Sequence, residues 1–475
     1  MRRVRPLAAL AGLLLMVTAC TTTEPQSPPP SARPSAQSPS ASLGQDEIRH
    51  SANMRLVANV PLGPPFDGPE AWGTDLAFQG DYAFVGNFEG FTIHDIGDPA
   101  HPKVTARVKC PGGQNDVSVS GDLLFVSVDF PREDDTCESG AGSFGENPWE
   151  GVRIFDVSDK THPRYVKSVR THCGSHTHTM IPGKQADRLY LYTSSAGQPD
   201  ATICPSPHQG ISIIEVPVEN PEAARVVAEP QLFESRRSGD DAGFSSSGCH
   251  DITAYPEKGL AAAACFGDGW LLDISDPVKP RVLQRVTDIA NFSIWHAATF
   301  NDTGTKVVFS DELGGGMMAT CGASDSPTKG ADAIYDLTPD LRLELRGYFK
   351  IPRPQGKSEN CVAHNGALIP VPGRDIMVQA VHGGRLGLGL HRLPASPGDR
   401  LLRTRAAGPE AQPRRLLVRL LLQRPHLLER HHQGPRHPAP RRPAHRSGQV
   451  AAADRAQRPD PAVVRPGLSD QRPER

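Results

Sequence analysis

Four histidines of this sequence, His176, His250, His296 and His364, fall at one equivalent position when the chain is aligned on its recurring hairpin bends. Imidazole is the most common protein ligand of transition-metal ions, and it suits zinc, copper and iron alike. A zinc ion needs ring nitrogens about 2.0–2.1 Å away, so the four side chains would have to converge on one point. The alignment therefore predicts a candidate metal site for zinc, copper or iron.

Polar residues adjoin these histidines and are candidates to orient the rings or to add ligands. They are Thr177, His178, Asp251 and Asn365. A different interpretation is that the histidines form hydrogen bonds with neighbouring repeats or with water in a central channel. The sequence leaves both interpretations open.

Other residues with ligand chemistry lie near predicted loops. Asp129, Asp268 and the adjacent pair Asp311 and Glu312 could bind calcium, or could be solvated turn residues. The chain has no Gly-x-Ser-x-Gly sequence, which argues against a hydrolase of that type. Its Gly314-Gly315-Gly316 run lacks the Gly-Lys-Ser/Thr of a phosphate loop.

A repeated motif predicts the strands that would position these residues. Four stretches each combine a short β-branched run with an acidic residue and a turn: 90–99, 151–159, 210–216 and 269–277. Alternate side chains of such a run face one way, as in a strand. Asp-Pro and Asn-Pro then interrupt the chain, because proline cannot donate a hydrogen bond to a sheet.

Further strands are predicted on both sides of each motif. A hairpin that bends at Gly80 or Gly121 precedes the first two motifs, and another short strand follows each turn. The unit is therefore four antiparallel strands repeating at roughly 40–60 residues, the period of a propeller blade. Thr74 and Asn115 occupy the histidine position in the first two units. We expect an all-β propeller with five to six blades in frame, and with Met54–Val60 as the closing strand of the last blade.

These motifs resemble the LVIVD-repeat family of bacterial surface propellers, whose signature is an apolar run ending in Asp, followed by a Ser-Asp-Pro turn. The resemblance covers about residues 54–380. It implies the propeller architecture and no single biochemical activity; the expectation of seven blades in an intact protein comes from the hidden reading frame of the C-terminal segment.

The N-terminus has the pattern of an export signal. Arg2, Arg3 and Arg5 precede an apolar segment too short to cross a bilayer, and Val17-Thr-Ala-Cys20 resembles a lipobox. This predicts a signal peptide over residues 1–19 and acylation of Cys20, with an ordinary cleaved signal as the alternative. The Ser- and Pro-rich stretch 20–43 is predicted to be a disordered tether. The expected location is the extracytoplasmic face of the cell membrane, with the lipid bilayer as a partner.

Eight cysteines remain besides Cys20, and an even number outside the cytosol favours disulfides. Sequence alone leaves their connectivity open. Neighbouring pairs are the candidates: Cys110 with Cys137, Cys173 with Cys204, Cys249 with Cys265, and Cys321 with Cys361.

The composition changes abruptly near residue 381. From there to Arg475 the chain has no Lys, Ile, Phe, Tyr or Trp, and no repeat motif continues. An arginine-rich tail for anionic partners is one interpretation. A frameshift is the other, since hidden codons offset by one nucleotide can encode the blade motif again over 383–392. We predict that 381–475 is out of frame and disordered.

Two functional hypotheses follow. In the first, the propeller is a binding module that recognises a protein or an envelope glycan at the cell surface. In the second, it is an extracytoplasmic metal-dependent enzyme, an oxidoreductase or a hydrolase, that uses the histidine cluster. Inserted loops with Phe144, Trp149 and Phe244 are candidate contacts for recognition, or satellite hydrophobic clusters. A net charge of −2 and the lack of a basic stripe up to residue 380 argue against nucleic acid.

Overall fold

The computed structural model describes residues 48–50, 55–68, 71–143, 148–172, 174–195, 211–232, 248–314, 320, 322–350, 361–371, 374–382, 387–392 and 402–404. The predicted signal peptide, the acylation site Cys20 and the tether lie outside the described residues. Cys173, Cys204, Cys321, Phe144, Phe244 and most of the tail also lie outside them. Among the described residues, no helix is long and apolar enough to cross a bilayer.

Short strands account for nearly all of the regular structure. β1 (Ile48–His50) comes first and is followed by five sheets of four strands each. Blade one contains β2 (Gly73–Gln79), β3 (Tyr82–Asn87), β4 (Gly90–Asp95) and β5 (Lys103–Lys109). Blade two contains β6 (Val117–Ser120), β7 (Leu123–Arg132), β8 (Trp149–Asp156) and β9 (Arg164–Arg170). Blade three contains β10 (Thr177–Pro182), β11 (Arg188–Ser194), β12 (Ser212–Pro217) and β13 (Arg225–Ala228).

The remaining blades continue the same order. Blade four contains β14 (Asp251–Tyr255), β15 (Leu260–Cys265), β16 (Asp268–Asp273) and β17 (Arg281–Val286). Blade five contains β18 (Trp295–Phe300), β19 (Lys306–Asp311), β20 (Asp332–Leu337) and β21 (Leu343–Phe349). Blade six has three described strands, β22 (Val362–Val371), β23 (Arg374–His382) and β24 (Gly387–Arg392), and β25 (Leu402–Thr404) follows. Two short 3-10 helices, Pro221–Ala223 and Pro256–Lys258, lie in connections.

Every described blade is an antiparallel meander, as the repeat predicts. The motif stretches form the third strands, and the short strands after the turns form the fourth. Gly80 and Gly121 have φ angles of 55° and 57°, the left-handed conformation that a tight bend between inner strands requires. The predicted all-β propeller, with five to six blades in frame, is therefore confirmed.

The acidic residue at the end of each third strand shapes the turn after it. In Asp95, Asp156 and Asp273, a side-chain oxygen accepts a hydrogen bond at 2.9 Å from the backbone N–H two residues later. This local bond mimics a backbone turn and needs no distant contact. It explains why the same short motif recurs at the ends of the third strands of blades one, two and four.

Hydrogen bonds between inner strands join neighbouring blades. Thr177 Oγ1 donates to the carbonyl of His250 at 2.9 Å, and Thr253 Oγ1 donates to that of Ala298 at 2.7 Å. Thr299 repeats the contact from blade five to blade six. Each bond satisfies a backbone carbonyl that points out of its own sheet towards the threonine of the preceding blade.

Apolar side chains fill the spaces between adjacent blades. Large buried clusters lie between blades one and two, two and three, three and four, and four and five. Between blades five and six, the described cluster contains only Val308, Ile334 and Met377, with Phe349 packed against it. Apolar burial is the main stabilising contribution, and these clusters supply it at each described junction.

The first strands of all six blades, with the residues that precede them, surround one central cavity of about 420 Å³. Its lining includes Leu76, Asp116, Thr179, Ile252, Ala298 and Ala367, one residue from each blade in order. The six sheets are therefore arranged around a common axis, and we call this cavity the channel chamber.

Ring closure differs from the expectation. Arg55–Val60 forms no strand; instead, Leu62 accepts a hydrogen bond of 2.6 Å from Arg107 Nε on the outer strand of blade one. Prolines at 61, 64 and 65 follow this segment and oppose a strand. The predicted clasp over 54–60 is therefore wrong for its described residues. β1 pairs with β25 instead.

β24 and β25 lie within the segment 381–475, for which the sequence predicts disorder. β24 pairs with β23 from Ile376–Arg392 to Val381–Gly387. Sheet pairing uses backbone groups, which every non-proline residue supplies, so this pairing does not depend on the blade motif. The frameshift itself stays a prediction.

Candidate functional site

The four predicted histidines come together at one mouth of the channel. His176 Nε2 lies 3.0 Å from His250 Nε2. The ring centroids of His250 and His296 are 3.7 Å apart, and those of His296 and His364 are 4.3 Å apart. They come from blades three to six, each at the start of the inner strand or just before it.

Carboxylates lie behind the first two rings. Asp129 Oδ2 is hydrogen-bonded to His176 Nδ1 at 2.7 Å, whereas Asp251 Oδ1 lies 3.2 Å from His250 Nδ1, an ion-pair distance. A carboxylate on Nδ1 fixes the tautomer of His176 and leaves its Nε2 facing the cluster, the usual arrangement behind metal-bound histidine. Asp129 is 5% exposed, so its partner is settled by packing rather than by solvent.

Glu312 completes the cluster. Its Oε2 lies 3.6 Å from His296 Nε2, and its Oε1 lies 3.7 Å from His364 Nε2. The residue follows β19, the second strand of blade five, which runs back towards the channel mouth where the inner strands begin. The sequence analysis placed Glu312 near a loop. Because second strands end at the channel mouth where first strands begin, its position directly after a second strand could have predicted this location.

Asp311, the neighbour of Glu312, has a structural role. Its Oδ1 accepts hydrogen bonds from the backbone N–H groups of Ser293 and Ile294, both at 2.9 Å, and its Oδ2 accepts one from Gly330 at 2.8 Å. These bonds hold the segment before β18 and so the position of His296. Asp311 and Glu312 therefore have different roles despite being adjacent.

The electrostatic environment separates the two closest imidazoles. Burial lowers the pKa of His176, but the hydrogen bond to Asp129 and the charges of Asp129 and Asp251 outweigh it, so the pKa is raised. For His250, burial dominates and the pKa is lowered. Burial also raises the pKa of Glu312 to about 7. His176 is therefore the more basic of the two imidazoles.

The distances suit a metal ion. Two ligands bound at about 2.0–2.1 Å, at angles between octahedral and tetrahedral, lie roughly 2.9–3.4 Å apart, and the Nε2 atoms of His176 and His250 meet this condition. Ligand atoms of two further groups lie within 4.8 Å of one another: His250, Asp251 and His296, and His296, Glu312 and His364. The two groups share His296, so the potential ligand atoms form one continuous cluster.

The other predicted residues are distributed differently. His178 contacts blade two: its Nε2 is 2.6 Å from Ser118 Oγ, and its Nδ1 is 2.8 Å from Ser127 Oγ. It forms the contact between blades that the alternative interpretation assigns to all the histidines. Thr177 bonds the carbonyl of His250, and Asn365 lines the channel chamber. Asp268 is buried at the start of β16.

Two of the four predicted disulfides lie within the described residues: Cys110–Cys137 and Cys249–Cys265. The second pair joins the residue before His250 to the adjacent strand. Cys361 is also disulfide-bonded, and its partner lies outside the described residues. The Cys249–Cys265 bond therefore constrains the backbone that carries His250.

Residues 73–109 and 148–171 match the LVIVD repeat model. Among curated proteins, none matches this chain. Similar solved structures include the periplasmic gluconolactonase of Pseudomonas aeruginosa, 13% identical, with 74% of this chain and 98% of that chain covered and a TM-score of 0.47. Hydrazine synthase of Kuenenia stuttgartiensis is 12% identical, with 68% and 84% covered and a TM-score of 0.43. At these values, no function is carried over from them.

Proposed function

This chain is an LVIVD-repeat β-propeller, and we propose that it is an extracytoplasmic metal-dependent protein. Its zinc, copper or iron ion would be held at the channel mouth by His176, His250, His296, His364 and Glu312. The convergence of four imidazoles from four consecutive blades is the observation that carries this proposal. Imidazole nitrogens gathered in a buried site are the donor groups that zinc, copper and iron take in proteins.

The types of ligand at the site limit which metal ions it can bind. Imidazole nitrogens suit zinc, copper and iron, whereas magnesium and calcium prefer sites made of oxygen ligands. Bound there, the ion would supply Lewis acidity, as in hydrolysis, or electron transfer, as in an oxidoreductase. Asp129 and Asp251 would keep two Nε2 atoms directed at the ion, and Glu312 would offset part of its charge.

Metal content of the purified full chain tests the proposal. We expect one zinc, copper or iron ion per chain after equilibration and dialysis, measured by mass spectrometry of the metal. His250→Ala or His296→Ala should weaken binding by roughly a hundredfold or more, since loss of even an outer partner costs about 10–100-fold. His172→Ala, an exposed histidine near the cluster in sequence, is the matched control. Wild-type protein without stoichiometric metal would refute the proposal.

A second candidate function, recognition of a protein or glycan, has support at the same channel mouth. Trp72 precedes β2, and Phe88 lies in the hairpin between β3 and β4; their ring centroids are 5.7 Å apart. Phe130 extends the row, 5.9 Å from Phe88. Trp72 is 47% exposed and Phe130 is 51% exposed. Exposed aromatic side chains of this kind are common at interfaces.

Trp72→Ala and Phe130→Ala separate the two functions. Both variants should leave metal binding unchanged. Recognition through this aromatic surface predicts that both reduce adhesion to cell-wall glycan or envelope protein. Ile289→Ala is the control, because Ile289 is an apolar side chain that is 67% exposed. A fully buried residue such as Phe84 would not be comparable. Unchanged adhesion in both aromatic variants would exclude recognition through this surface.

The proposal also includes export and anchoring through acylated Cys20. The even set of remaining cysteines supports a location outside the cytoplasm, as do the disulfides among the described residues. Metabolic labelling with palmitate should mark the wild-type chain, and Cys20→Ser should abolish the label.

Sequencing of the gene around codon 381 tests the proposed frameshift, because a single inserted or deleted nucleotide there should restore the blade motif.

A further inference from the structure

Directly after the histidine position, each blade contributes one residue to the wall of the channel chamber. These six residues form a ring just inside the metal-binding mouth: Asp75, Asp116, Thr177, Asp251, Ala297 and Asn365. Three of the six are aspartates, and among the described residues that line the chamber none is Lys or Arg. We refer to these six residues as the acidic ring.

Below the acidic ring, the chamber wall is mainly apolar. Phe78, Ile252, Leu368, Ile369 and Val378 contribute to it. A volume of about 420 Å³ falls within the range of roughly 300–1,000 Å³ for small-molecule sites, which combine an apolar wall with a few polar groups. The chamber thus has the size and composition of a ligand site.

The carboxylates at its entrance have defined positions. Asp116 Oδ2 accepts a hydrogen bond from the backbone N–H of His178 at 2.9 Å and lies 3.0 Å from His178 Nδ1. Asp75 Oδ2 accepts one from the N–H of Val117 at 3.1 Å. Burial raises the pKa of Asp75, and the adjacent charge of Asp116 raises it further. The two carboxyl groups are hydrogen-bonded to each other, and a cation between them would favour their charged forms over a shared proton.

A single metal ion does not explain the acidic ring. Among the described residues, Asp75, Asp116 and Asp251 do not form a group whose ligand atoms lie within 4.8 Å of one another. An ammonium group, with three N–H donors on a flexible chain, can contact carboxylates that are farther apart. Its apolar body would then occupy the lower chamber.

We propose that the channel chamber binds a small organic amine, whose protonated nitrogen lies at the acidic ring and whose apolar part packs against the lower wall. The amine would thereby lie next to the histidine cluster. That this amine is the substrate of the metal site rests on the proposed function; that the chamber binds it does not. Anionic ligands are disfavoured, since they would meet three carboxylates without a compensating cation.

Three probes of similar shape test the charge preference: 2-phenylethylamine, 2-phenylethanol and phenylacetate. Titration calorimetry on the full chain, with EDTA present to remove metal, should give at least a tenfold tighter affinity for the amine than for the alcohol. Phenylacetate should bind more weakly still. Asp75→Asn should reduce the preference for the amine, and Asp122→Asn, an exposed carboxylate outside the chamber, should not.

A variant that fills the chamber provides a second measurement. Ala367 lines the chamber but is itself exposed, so Ala367→Trp should abolish binding of the amine and the alcohol while metal stoichiometry stays unchanged. Equal affinities for amine and alcohol in the wild type would overturn the proposed role of the acidic ring. Displacement of the amine by micromolar calcium would also overturn it, in favour of a calcium site.

Measuring metal uptake in the same protein distinguishes failure of the chamber proposal from failure of the metal-site proposal. If the wild type takes up metal but binds none of the probes, the chamber proposal is wrong and the metal centre stands. If it binds the amine but takes up no metal, the chamber proposal stands and the metal centre is wrong.

Discussion

Asp332→Asn should stabilise this propeller at alkaline pH, because the native carboxylate is held where it is costly to ionise. Asp332 begins β20 and is 2% exposed. Its described hydrogen-bond partner is Ser310, whose Oγ donates to Oδ1 at 2.8 Å. Burial raises its pKa from 3.8 to about 7.

The sign follows from proton binding. Between pH 4 and 7 the folded state holds a proton on Asp332 that the unfolded chain releases, so the free energy of unfolding falls as pH rises through this window. The contribution of the protonated form is fully present below pH 4 and is lost above pH 7. At about 1.4 kcal/mol per pH unit, the full penalty is about 4 kcal/mol at pH 8. Asparagine keeps an acceptor for Ser310 and carries no charge, so it avoids this penalty.

Urea unfolding of wild type and Asp332→Asn at pH 4.5, 6 and 8, with EDTA present, measures the difference. We expect the variant to be more stable by about 3–4 kcal/mol at pH 8, with about 1 kcal/mol of that difference left at pH 4.5. The pH dependence of the difference matters more than either curve alone, since other groups titrate equally in both proteins. A difference independent of pH, or a variant less stable at pH 8, would refute the reasoning. Asp122→Asn should change neither curve appreciably.

Three further changes test the packing. Arg153 is fully buried, and its guanidinium donates to three or more loop carbonyls, so Arg153→Ala should cost about 3 kcal/mol or more in thermal or urea unfolding; a cost below 1 kcal/mol would contradict this. Replacing both Cys249 and Cys265 with serine should cost about 2–4 kcal/mol and should weaken metal binding at the adjacent His250, with equal metal affinity as the contrary result. Thr253→Val leaves a carbonyl of the next blade without its donor and should cost about 1–2 kcal/mol, checked by the urea midpoint against Thr338→Val on the surface.

Local patterns in the sequence were sufficient for the blades. Period-two apolar runs define strands, glycine permits the bends, and an Asp at a strand end accepts a bond two residues later. Each of these interactions acts within a few residues, so a single chain displays them directly. Because every blade repeats the same meander, equivalent positions must lie at the same channel mouth. For this reason the repeat pattern in the sequence is enough to group the four histidines.

Contacts between distant residues were beyond the sequence. Asp129 near the end of β7 contacts His176 of the next blade, and Glu312 after β19 contacts His364 of the next blade, which depends on how the sheets are rotated about the axis. His178 stands two positions after His176 and yet bonds blade two. The predicted closing strand also depended on tertiary structure: Arg55–Val60 forms no strand, while β1 pairs with β25. Repeats determine which residues are equivalent, whereas side-chain rotamers and packing between blades determine which of them touch.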